Sequence, residues 1–339
     1  MKEKYSRPSH LYPVPEGHSS ASRFEQVLRK GDFALTSEIS PPDSVDPQEV
    51  YRRVKLFDGF VDAINVTDGS GAHCHMSSVA TCSLLTRIGY SPIFQISCRD
   101  RNSIAIQGDV LGVAALNIGN VLALSGDGVQ CGDHPWAKPV FELDSVSLLK
   151  TLRIMRDEKR FISGRKIDIP PNIFIGSSIN PFRAPIENRI FQLEKKINAG
   201  AQFIQSQYCC DIPMLKKFMN QATDLGLDKK AFILIGIGII PSAKTAIWMR
   251  KNVPGVHIPD GFIKRLQGAK DQHKEAIKIC IEHLQQVKEI EGVSGIHLMA
   301  YRQEEYIGEV VKKSGILGTR VPWALDKNTA KKINYQDKH

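Results

Sequence analysis

The 339-residue sequence lacks the features that mark several common protein classes. It has no run approaching the roughly 18 to 20 consecutive apolar residues of a membrane-spanning helix. The first segment, MKEKYSRPSHLYPVPEGHSS, has no apolar core, so it is not expected to be a secretory signal. The seven cysteines form no C-x-x-C pair, which argues against a zinc ribbon and a disulfide framework. We therefore expect a cytoplasmic protein without a membrane segment or a metal site.

Nucleic-acid-binding motifs are also missing, although the formal net charge is +9. The basic residues are spread along the chain, with a local excess only in the tail DKNTAKKINYQDKH. No RNP-like, helix-turn-helix or zinc-finger pattern accompanies them. A basic surface without such a motif is suited to anionic small molecules, so we do not expect a nucleic-acid partner.

A glycine-rich dinucleotide motif is absent as well. The nearest match to G-x-G-x-x-G is GIGIIP at 236–241, where proline replaces the third glycine, which argues against an open Rossmann sheet. What is present is a regular alternation of β-rich and amphipathic segments. The predicted strands are 33–40, 62–67, 92–97, 120–125, 172–178, 201–207, 232–238 and 294–299.

Eight such units predict a single (β/α)8 barrel. We place the barrel at residues 25–320, after an N-terminal extension (1–24) and before a basic C-terminal tail (321–339). Helices are expected to close at Gly200 and to begin near Asp144, and residues 259–290 form one long helix or two.

In a (β/α)8 barrel, active-site residues lie where strands end and loops begin. These positions hold mostly polar side chains, which are costly to bury there without a use. They are Glu38, Thr67, Asp68, Gln95, Asp127, Ser178, Asn180, Gln207, Gly238 and His297. The set contains no lysine, which argues against a Schiff-base aldolase.

Two carboxylates in this set are candidates for catalysis. Strand alternation places Thr36, Glu38 and Ser40 on one face, and an inward carboxylate near a barrel mouth suits a general acid. The alternative for Glu38 is a salt bridge to an interior arginine. Asp127, in NVLALSGDG, could cap a helix, but prolines follow closely and the next predicted helix begins only near Asp144. The glycine-rich segment between them is typical of a ligand-covering loop.

Other reactive residue types have weaker support. His73, Cys74 and His75 are adjacent in a loop without a matching ligand spacing, and His134 has no second ligand nearby. The pair Cys209–Cys210 has no partner histidine in the local sequence, so packing is favoured over reactivity.

Several longer motifs make the chain resemble the methylenetetrahydrofolate reductase family. They are TSEISPP, DAINVTDGSGAH, PIFQISCRDRN, NVLALSGDG, KKINAGAQFIQSQ, IGIIP, VHIPDGFIKRL and GVSGIHLM, which occur in the family's order across about residues 30 to 302. The segments CRDRN and GDHPWAKPVFELDSV are most similar to those of the shorter bacterial enzymes of one-carbon metabolism, including those of acetogens.

The resemblance implies a barrel that holds a flavin and interconverts 5,10-methylene- and 5-methyltetrahydrofolate. By position, Glu38 matches the acid that protonates N10, and Asp127 matches the acid beside the pterin and flavin. The remaining assignments follow the same positions. They are Thr67, Gln95, Ser125, Gly126, Ser178, Asn180 and Lys196 for the cofactor, and Gln207, Ile240 and His297, with Asp127, for the substrate.

Three departures from the family pattern affect the cofactor prediction. Gln95 occupies the position of a histidine in the family, Ser125 that of an arginine, and Asn180 that of a tyrosine. All three of these family residues touch the flavin. FAD is the expected cofactor, and the alternatives are FMN or a flavin-free enzyme that uses NAD(P)H directly.

The sequence leaves other functions and partners open. One alternative is a barrel that passes a methyl group from a pterin to a corrinoid, and another is a non-catalytic subunit. The paired Glu38 and Asp127 fit ring opening better than methyl transfer. An electron-delivering partner subunit and a homo-oligomer are further expectations.

Overall fold

Eight short strands pair in chain order and close on themselves in the computed structural model, which describes residues 16–253, 255–300 and 302–325. All pairs are parallel, and β8 pairs with β1, which closes the sheet. The strands are β1 (Ala34–Ile39), β2 (Ala63–Val66), β3 (Pro92–Ser97), β4 (Asn120–Leu124), β5 (Phe174–Ile179), β6 (Phe203–Tyr208), β7 (Phe232–Gly238) and β8 (Val293–Met299). The predicted (β/α)8 barrel and each of its eight strands are confirmed.

Helices surround the barrel and connect successive strands. They are α1 (Arg23–Arg29), α2 (Pro47–Val54), α3 (Ser78–Arg87), α4 (Ser103–Ala115), α5 (Ser145–Arg153), α6 (Arg189–Ala199), α7 (Ile212–Asp224), α8 (Ala243–Asn252), α9 (Asp260–Gly268), α10 (Gln272–Lys288) and α11 (Ile307–Ser314). Within the described ranges, none of these helices has both the length and the apolar character needed to cross a membrane.

The helix boundaries follow local capping chemistry. α5 begins directly after Asp144, whose carboxylate accepts hydrogen bonds from the backbone N–H groups of Val146 and Ser147. α6 ends at Gly200, whose φ of +123° is open to glycine at little cost. The segment predicted as one helix or two is two, because Asp271 caps a new helix by accepting from the backbone N–H of Lys274.

The amino-terminal half of the barrel interior is filled by aromatic rings. Phe174 and Phe203 stack with their centroids 4.8 Å apart, and Phe24 of α1 meets Phe203 edge-on at 5.3 Å. Gly176 leaves the room that this packing needs, since a Cβ there would lie 2.3 Å from the Phe203 ring. Among the described residues, this end of the barrel is therefore closed by α1, which leaves the opposite, carboxyl end of the strands for a ligand.

Segments outside the predicted barrel boundaries also pack against it. α1 begins at Arg23, inside the predicted extension, and the Arg23 guanidinium lies 4.5 Å from the Trp323 ring centroid. Arg320 binds Asp62, and the backbone N–H of Leu325 donates to Asp58. Gln202 on the barrel also donates to the carbonyl oxygen of His18 at 2.7 Å, so the packed unit extends from His18 to Leu325. The rest of the predicted extension (1–15) and tail (326–339) lies outside the described residues.

Candidate active site

A cavity of about 970 Å³ opens at the carboxyl ends of the strands. Parallel strands that close into a barrel bring these ends together, so residues far apart in sequence line one space. Of the residues assigned by the family resemblance, all but one line it: Glu38, Thr67, Gln95, Ser125, Gly126, Asp127, Ser178, Asn180, Lys196, Gln207 and His297. Of the other two predicted strand-end positions, Asp68 lines the cavity and Gly238 does not. In the described residues, no group of three or more histidine, cysteine, aspartate or glutamate side chains is arranged to hold a metal ion.

Ile240 is the one residue assigned by the family resemblance that does not line the cavity. Its side chain is buried in the hydrophobic layer between barrel and helices, with 1% of its surface exposed. Ile239 and Pro241, its neighbours, border the cavity instead. Because the residues on both sides of Ile240 border the cavity while Ile240 is buried, its side chain points away from the opening.

Glu38 lies near the end of β1 with its carboxylate at the cavity wall. Its Oε2 is 3.3 Å from Nε2 of His297 on β8, and 29% of the Glu38 side chain is exposed against 6% for His297. The other His297 nitrogen, Nδ1, lies 3.0 Å from Thr36 Oγ1. The partner of Glu38 is therefore His297, and not the interior arginine considered as the alternative.

Asp127 projects from the turn that follows β4. Gly126 precedes it with a φ of +91°, which re-aims the chain at the strand end. The Asp127 carboxylate accepts a hydrogen bond of 3.0 Å from the backbone N–H of Gly71, in the loop after β2. The next helical turn, Val129–Cys131, has no side-chain cap. Asp127 thus does not cap that turn, in agreement with the sequence interpretation, and it lies exposed at the cavity.

Ser125, at the position of the family's arginine, is bound to the protein itself. Its Oγ accepts a 3.0 Å hydrogen bond from the backbone N–H of Ser145, the first residue of α5. This contact ties the end of β4 to the start of the following helix. A serine here therefore contributes to the local structure and brings no positive charge to the cavity.

Lys196 on α6 reaches the cavity beside β5. Its Nζ donates a 2.6 Å hydrogen bond to the carbonyl oxygen of Ser178. Burial lowers the pKa of Lys196 to about 8, with Asp144 opposing this change. Its amino group therefore changes charge near neutral pH, in contrast to an exposed lysine.

Two hydroxyl groups on the opposite wall have no protein partner within the described part of the chain. They are Thr67 Oγ1 after β2 and Ser97 Oγ at the end of β3, and both residues are buried and border the cavity. Buried hydroxyls are normally hydrogen-bonded, so Thr67 Oγ1, and Ser97 Oγ next to the Asp68 carboxylate, leave hydrogen-bonding capacity at this wall. The carboxylate of Asp68, beside them, forms an ion pair with Arg101 at 2.7 Å. We therefore interpret this predicted strand-end residue as having a structural role.

The amide residues of the site have defined orientations. Gln207 Oε1 accepts from the backbone N–H of Tyr208 at 3.0 Å, and Asn180 Oδ1 accepts from that of Phe182 at 3.2 Å. Gln95 is buried on β3 and faces the same cavity. The amides of Gln95 and Gln207 thus face a molecule in the cavity with hydrogen-bonding atoms.

The sequence interpretation missed four arginines that line the cavity, Arg99, Arg183, Arg189 and Arg302. Arg183 and Arg189 lie in and after the loop that follows β5, and both line the opening with Lys196. Arg189 donates to the carbonyl oxygen of Pro185 at 3.2 Å, which fixes its side chain near the loop. Arg183 and Arg189 lie in the loop sequence INPFRAPIENR. A prediction based on strand ends does not select them, because neither residue is at a strand end.

Comparisons with known proteins agree with this geometry. Residues 23–315 match the sequence model of the family described as methylenetetrahydrofolate reductase. A curated Caenorhabditis elegans protein named probable methylenetetrahydrofolate reductase (NADPH) is 22% identical over 322 residues, which is 89% of this chain and 46% of the relative. The chain thus spans about half the length of that relative.

A solved structure shares the fold. It is an uncharacterized protein from Clostridium thermocellum described as binding two copies of 5-methyl-5,6,7,8-tetrahydrofolic acid. The two chains superpose with a TM-score of 0.63 at 13% identity, over 86% of this chain and 99% of the other. Because the family match extends over most of the sequence, the chain belongs to the methylenetetrahydrofolate reductase family.

Proposed function

We propose that the protein is a flavin-dependent oxidoreductase that interconverts 5,10-methylenetetrahydrofolate and 5-methyltetrahydrofolate. The observation that carries the proposal is the position of Glu38 and Asp127, which enter one cavity from β1 and from the turn after β4, with β2 and β3 between them in the barrel order. The folate bound by the Clostridium thermocellum protein supports the same substrate class.

The two carboxylates have different roles in this proposal. Glu38 gives a proton to N10 as the bond from N10 to the one-carbon unit breaks and its electron pair moves to N10. The ring opening leaves a cationic iminium, and Asp127 stabilises this charge because it is an anion at the same cavity. Gln207, half-buried at the end of β6, holds the pterin through its amide. A pair of acids in unlike surroundings suits a reaction that needs one proton donor and one fixed negative charge.

The residues on the remaining walls fit a flavin. The buried hydroxyls of Thr67 and Ser97 have the donor and acceptor capacity that the polar edge of an isoalloxazine requires. Positive charge for phosphate groups is provided by Arg183, Arg189 and Lys196. The family's strand-four arginine is replaced by Ser125 in this chain. A bound flavin would supply the ability to accept and deliver a hydride. We assign FAD in preference to FMN, as the family resemblance implies.

The cofactor assignment predicts a visible spectrum. The protein purified in its native state should be yellow, and acid treatment should release FAD, identified by chromatography against FAD and FMN standards. The flavin-free alternative, with NAD(P)H as the direct hydride donor, predicts a colourless protein. A colourless preparation that reduces methylenetetrahydrofolate with NAD(P)H, and whose rate is unchanged by added flavin, would contradict the assignment.

Lys196 predicts how cofactor affinity changes with pH. Burial lowers the pKa of Lys196 to about 8, so its positive charge is present below that pH and is lost as the pH rises. A phosphate-bearing ligand favours the charged form, and FAD affinity should fall above pH 8 by up to about tenfold per pH unit. Titration of the flavin-free protein with FAD measures this.

Two variants separate Lys196 from general charge effects. Lys196→Met should weaken FAD binding at neutral pH and remove this pH dependence. Lys195→Met changes the adjacent, exposed lysine, which does not line the cavity, and should bind FAD like the wild type. Identical pH curves for wild type and Lys196→Met would show that Lys196 does not meet the cofactor.

We extend the proposal to a cytoplasmic homo-oligomer that receives electrons from a partner subunit or from NAD(P)H. Large apolar side chains near the cavity support a protein contact, since Phe191 is 60% and Trp248 59% exposed. Measurement of the molar mass in solution tests the oligomer, and the rate with NAD(P)H alone tests the need for a partner.

A further inference from the structure

A chain of buried hydrogen bonds runs from Glu38 into the barrel interior. His297 Nε2 lies 3.3 Å from Glu38 Oε2, and His297 Nδ1 lies 3.0 Å from Thr36 Oγ1. Thr36 is fully buried and does not border the cavity. The contact behind His297 is therefore out of reach of a ligand, and it acts only through the histidine.

Two amides continue the chain across the barrel. Gln205 Nε2 on β6 donates to Thr36 Oγ1 at 3.0 Å. Gln205 also forms a reciprocal pair with Asn65 of β2, with hydrogen bonds of 2.7 and 3.1 Å. All these groups are buried, where an unpaired polar group is costly, and each one satisfies its neighbour. Four strands, β1, β2, β6 and β8, thus hold one polar network, which we name the interior relay: Asn65, Gln205, Thr36 and His297.

The relay has a direction of hydrogen-bond donation. Thr36 has one hydroxyl proton, and its oxygen already accepts from Gln205. The hydroxyl can donate to His297 Nδ1 at 3.0 Å or to the carbonyl oxygen of Ile296 at 3.4 Å, and the shorter contact is the stronger one. When Nδ1 accepts this hydrogen bond, a neutral imidazole carries its own hydrogen on Nε2. That N–H faces Glu38 Oε2.

We propose that His297 is a positioning residue for Glu38, and that the interior relay fixes it as the Nε2–H tautomer. The N–H of His297 then donates to Oε2, so the transferable proton of the Glu38 carboxyl group resides on the other oxygen, Oε1. During ring opening, Oε1 gives that proton to N10, and the electron pair of the breaking bond to N10 stays on that nitrogen. The inference rests on the proposed function, because only then does Glu38 act as an acid.

The chemistry of the relay also excludes a proton path through the barrel. Gln205 and Asn65 are amides, which neither gain nor lose a proton near neutral pH. The relay can therefore orient the carboxyl group, but it cannot return the proton that Glu38 loses. Glu38 must regain its proton from the side of the cavity.

The first test measures the tautomer directly in the wild-type protein. Two-dimensional NMR of the full chain with ¹⁵N-labelled histidine rings, in mildly alkaline buffer, distinguishes the two neutral tautomers and the imidazolium. The spectrum of His297→Gln identifies the His297 signals by their loss. We expect the Nε2–H tautomer. An Nδ1–H tautomer or an imidazolium at His297 would overturn the proposal. The tautomer is read in the wild-type protein and requires no enzymatic activity.

The second test removes the threonine hydroxyl without touching the cavity. Thr36→Val keeps the shape of the side chain and breaks the relay, and we expect kcat for 5-methyltetrahydrofolate oxidation with an artificial acceptor to fall about tenfold to a hundredfold. KM should change little, because the substrate contacts remain. The His297 tautomer signals should shift in the same variant. Thr36→Ser restores the hydroxyl, and it should return kcat to near the wild-type value.

Ser37→Ala is a matched control on the same strand. Ser37 is equally buried and its hydroxyl also bonds β8, donating to the carbonyl oxygen of Leu298 at 2.7 Å, but it faces outward. Its kcat should stay near the wild-type value. Equal losses in Thr36→Val and Ser37→Ala would assign the effect to packing and overturn the proposal, as would an unchanged kcat in Thr36→Val. A wild-type protein that turns over no folate refutes the proposed function instead, while the NMR result still decides the tautomer.

Discussion

Glu38→Gln should lower folate turnover by about 10² to 10⁴-fold, the usual contribution of a positioned general acid. Glutamine has nearly the same shape as glutamate, and its amide oxygen can still accept from His297 Nε2, whose distance to Glu38 is 3.3 Å in the native protein. What glutamine lacks is a proton to give to N10. The fold and the cofactor wall should be preserved, so the loss reports on proton transfer.

Separate half-reactions make this prediction specific. Stopped-flow absorbance should show that the flavin of Glu38→Gln is reduced by a chemical or nicotinamide donor at close to the wild-type rate. Its reoxidation by methylenetetrahydrofolate should be slow. Glu49→Gln, on α2 and away from the cavity, should leave both steps unchanged. Equal loss of both steps in Glu38→Gln would mean that Glu38 maintains the cofactor site, which contradicts its proposed role.

Asp127→Asn should lower the rate of folate reduction by about tenfold to a hundredfold. Asparagine can still accept the hydrogen bond from the backbone N–H of Gly71, so the turn after β4 should keep its shape. The substitution removes the negative charge that stabilises the iminium cation. Because Asp127 is exposed in the open cavity, solvent screens part of this charge, and the loss should be smaller than that of Glu38→Gln.

Asp133 provides a matched control for the loop contact. Its carboxylate also accepts from a backbone N–H of the loop after β2, that of Cys74 at 3.3 Å, but Asp133 does not border the cavity. Single-turnover kinetics of Asp133→Asn should match the wild type. If the two asparagine variants lose the same activity, Asp127 acts by holding the two loops together, and the electrostatic role is wrong.

The site combines two ways of fixing a carboxylate. Glu38 is held by a side chain of a neighbouring strand, and that side chain is held in turn by the buried relay. Asp127 is held by a single backbone N–H from an adjacent loop. The first arrangement is rigid because it is built on strands, and it suits a proton donor whose distance to the substrate must be short. The second lies on loops, which suits a charge that acts over a longer range.

Much of the architecture could be predicted from local patterns. Runs of β-branched residues at helix-length spacing specify strands and helices in alternation, and eight such units leave a closed barrel as the favoured arrangement. Closure then requires that strand ends share one mouth, which is why residues as distant in sequence as Glu38 and His297 could be assigned to one site. Their polarity at the ends of apolar strands was the local signal.

Other features depend on contacts between segments that no local pattern encodes. The orientation of Ile240 away from the cavity depends on the path of the chain after β7, and a motif match alone assigned it to the substrate. Ser125 is identifiable in the sequence as a departure from the family, but its bond to Ser145 requires the start of α5 to lie against β4. Arg183 enters the site only because the loop after β5 folds over the mouth.

The sequence by itself determined the barrel, because strand periodicity is a property of short segments, and its motifs identified the family. Strand-end polarity predicted the two carboxylates. Only the tertiary structure decided what each carboxylate contacts. The pairing of β1 with β8 places His297 beside Glu38, and closure of the barrel places Gln205 behind Thr36. These contacts join residues separated by more than a hundred positions, and they are set by strand order and register around the whole barrel.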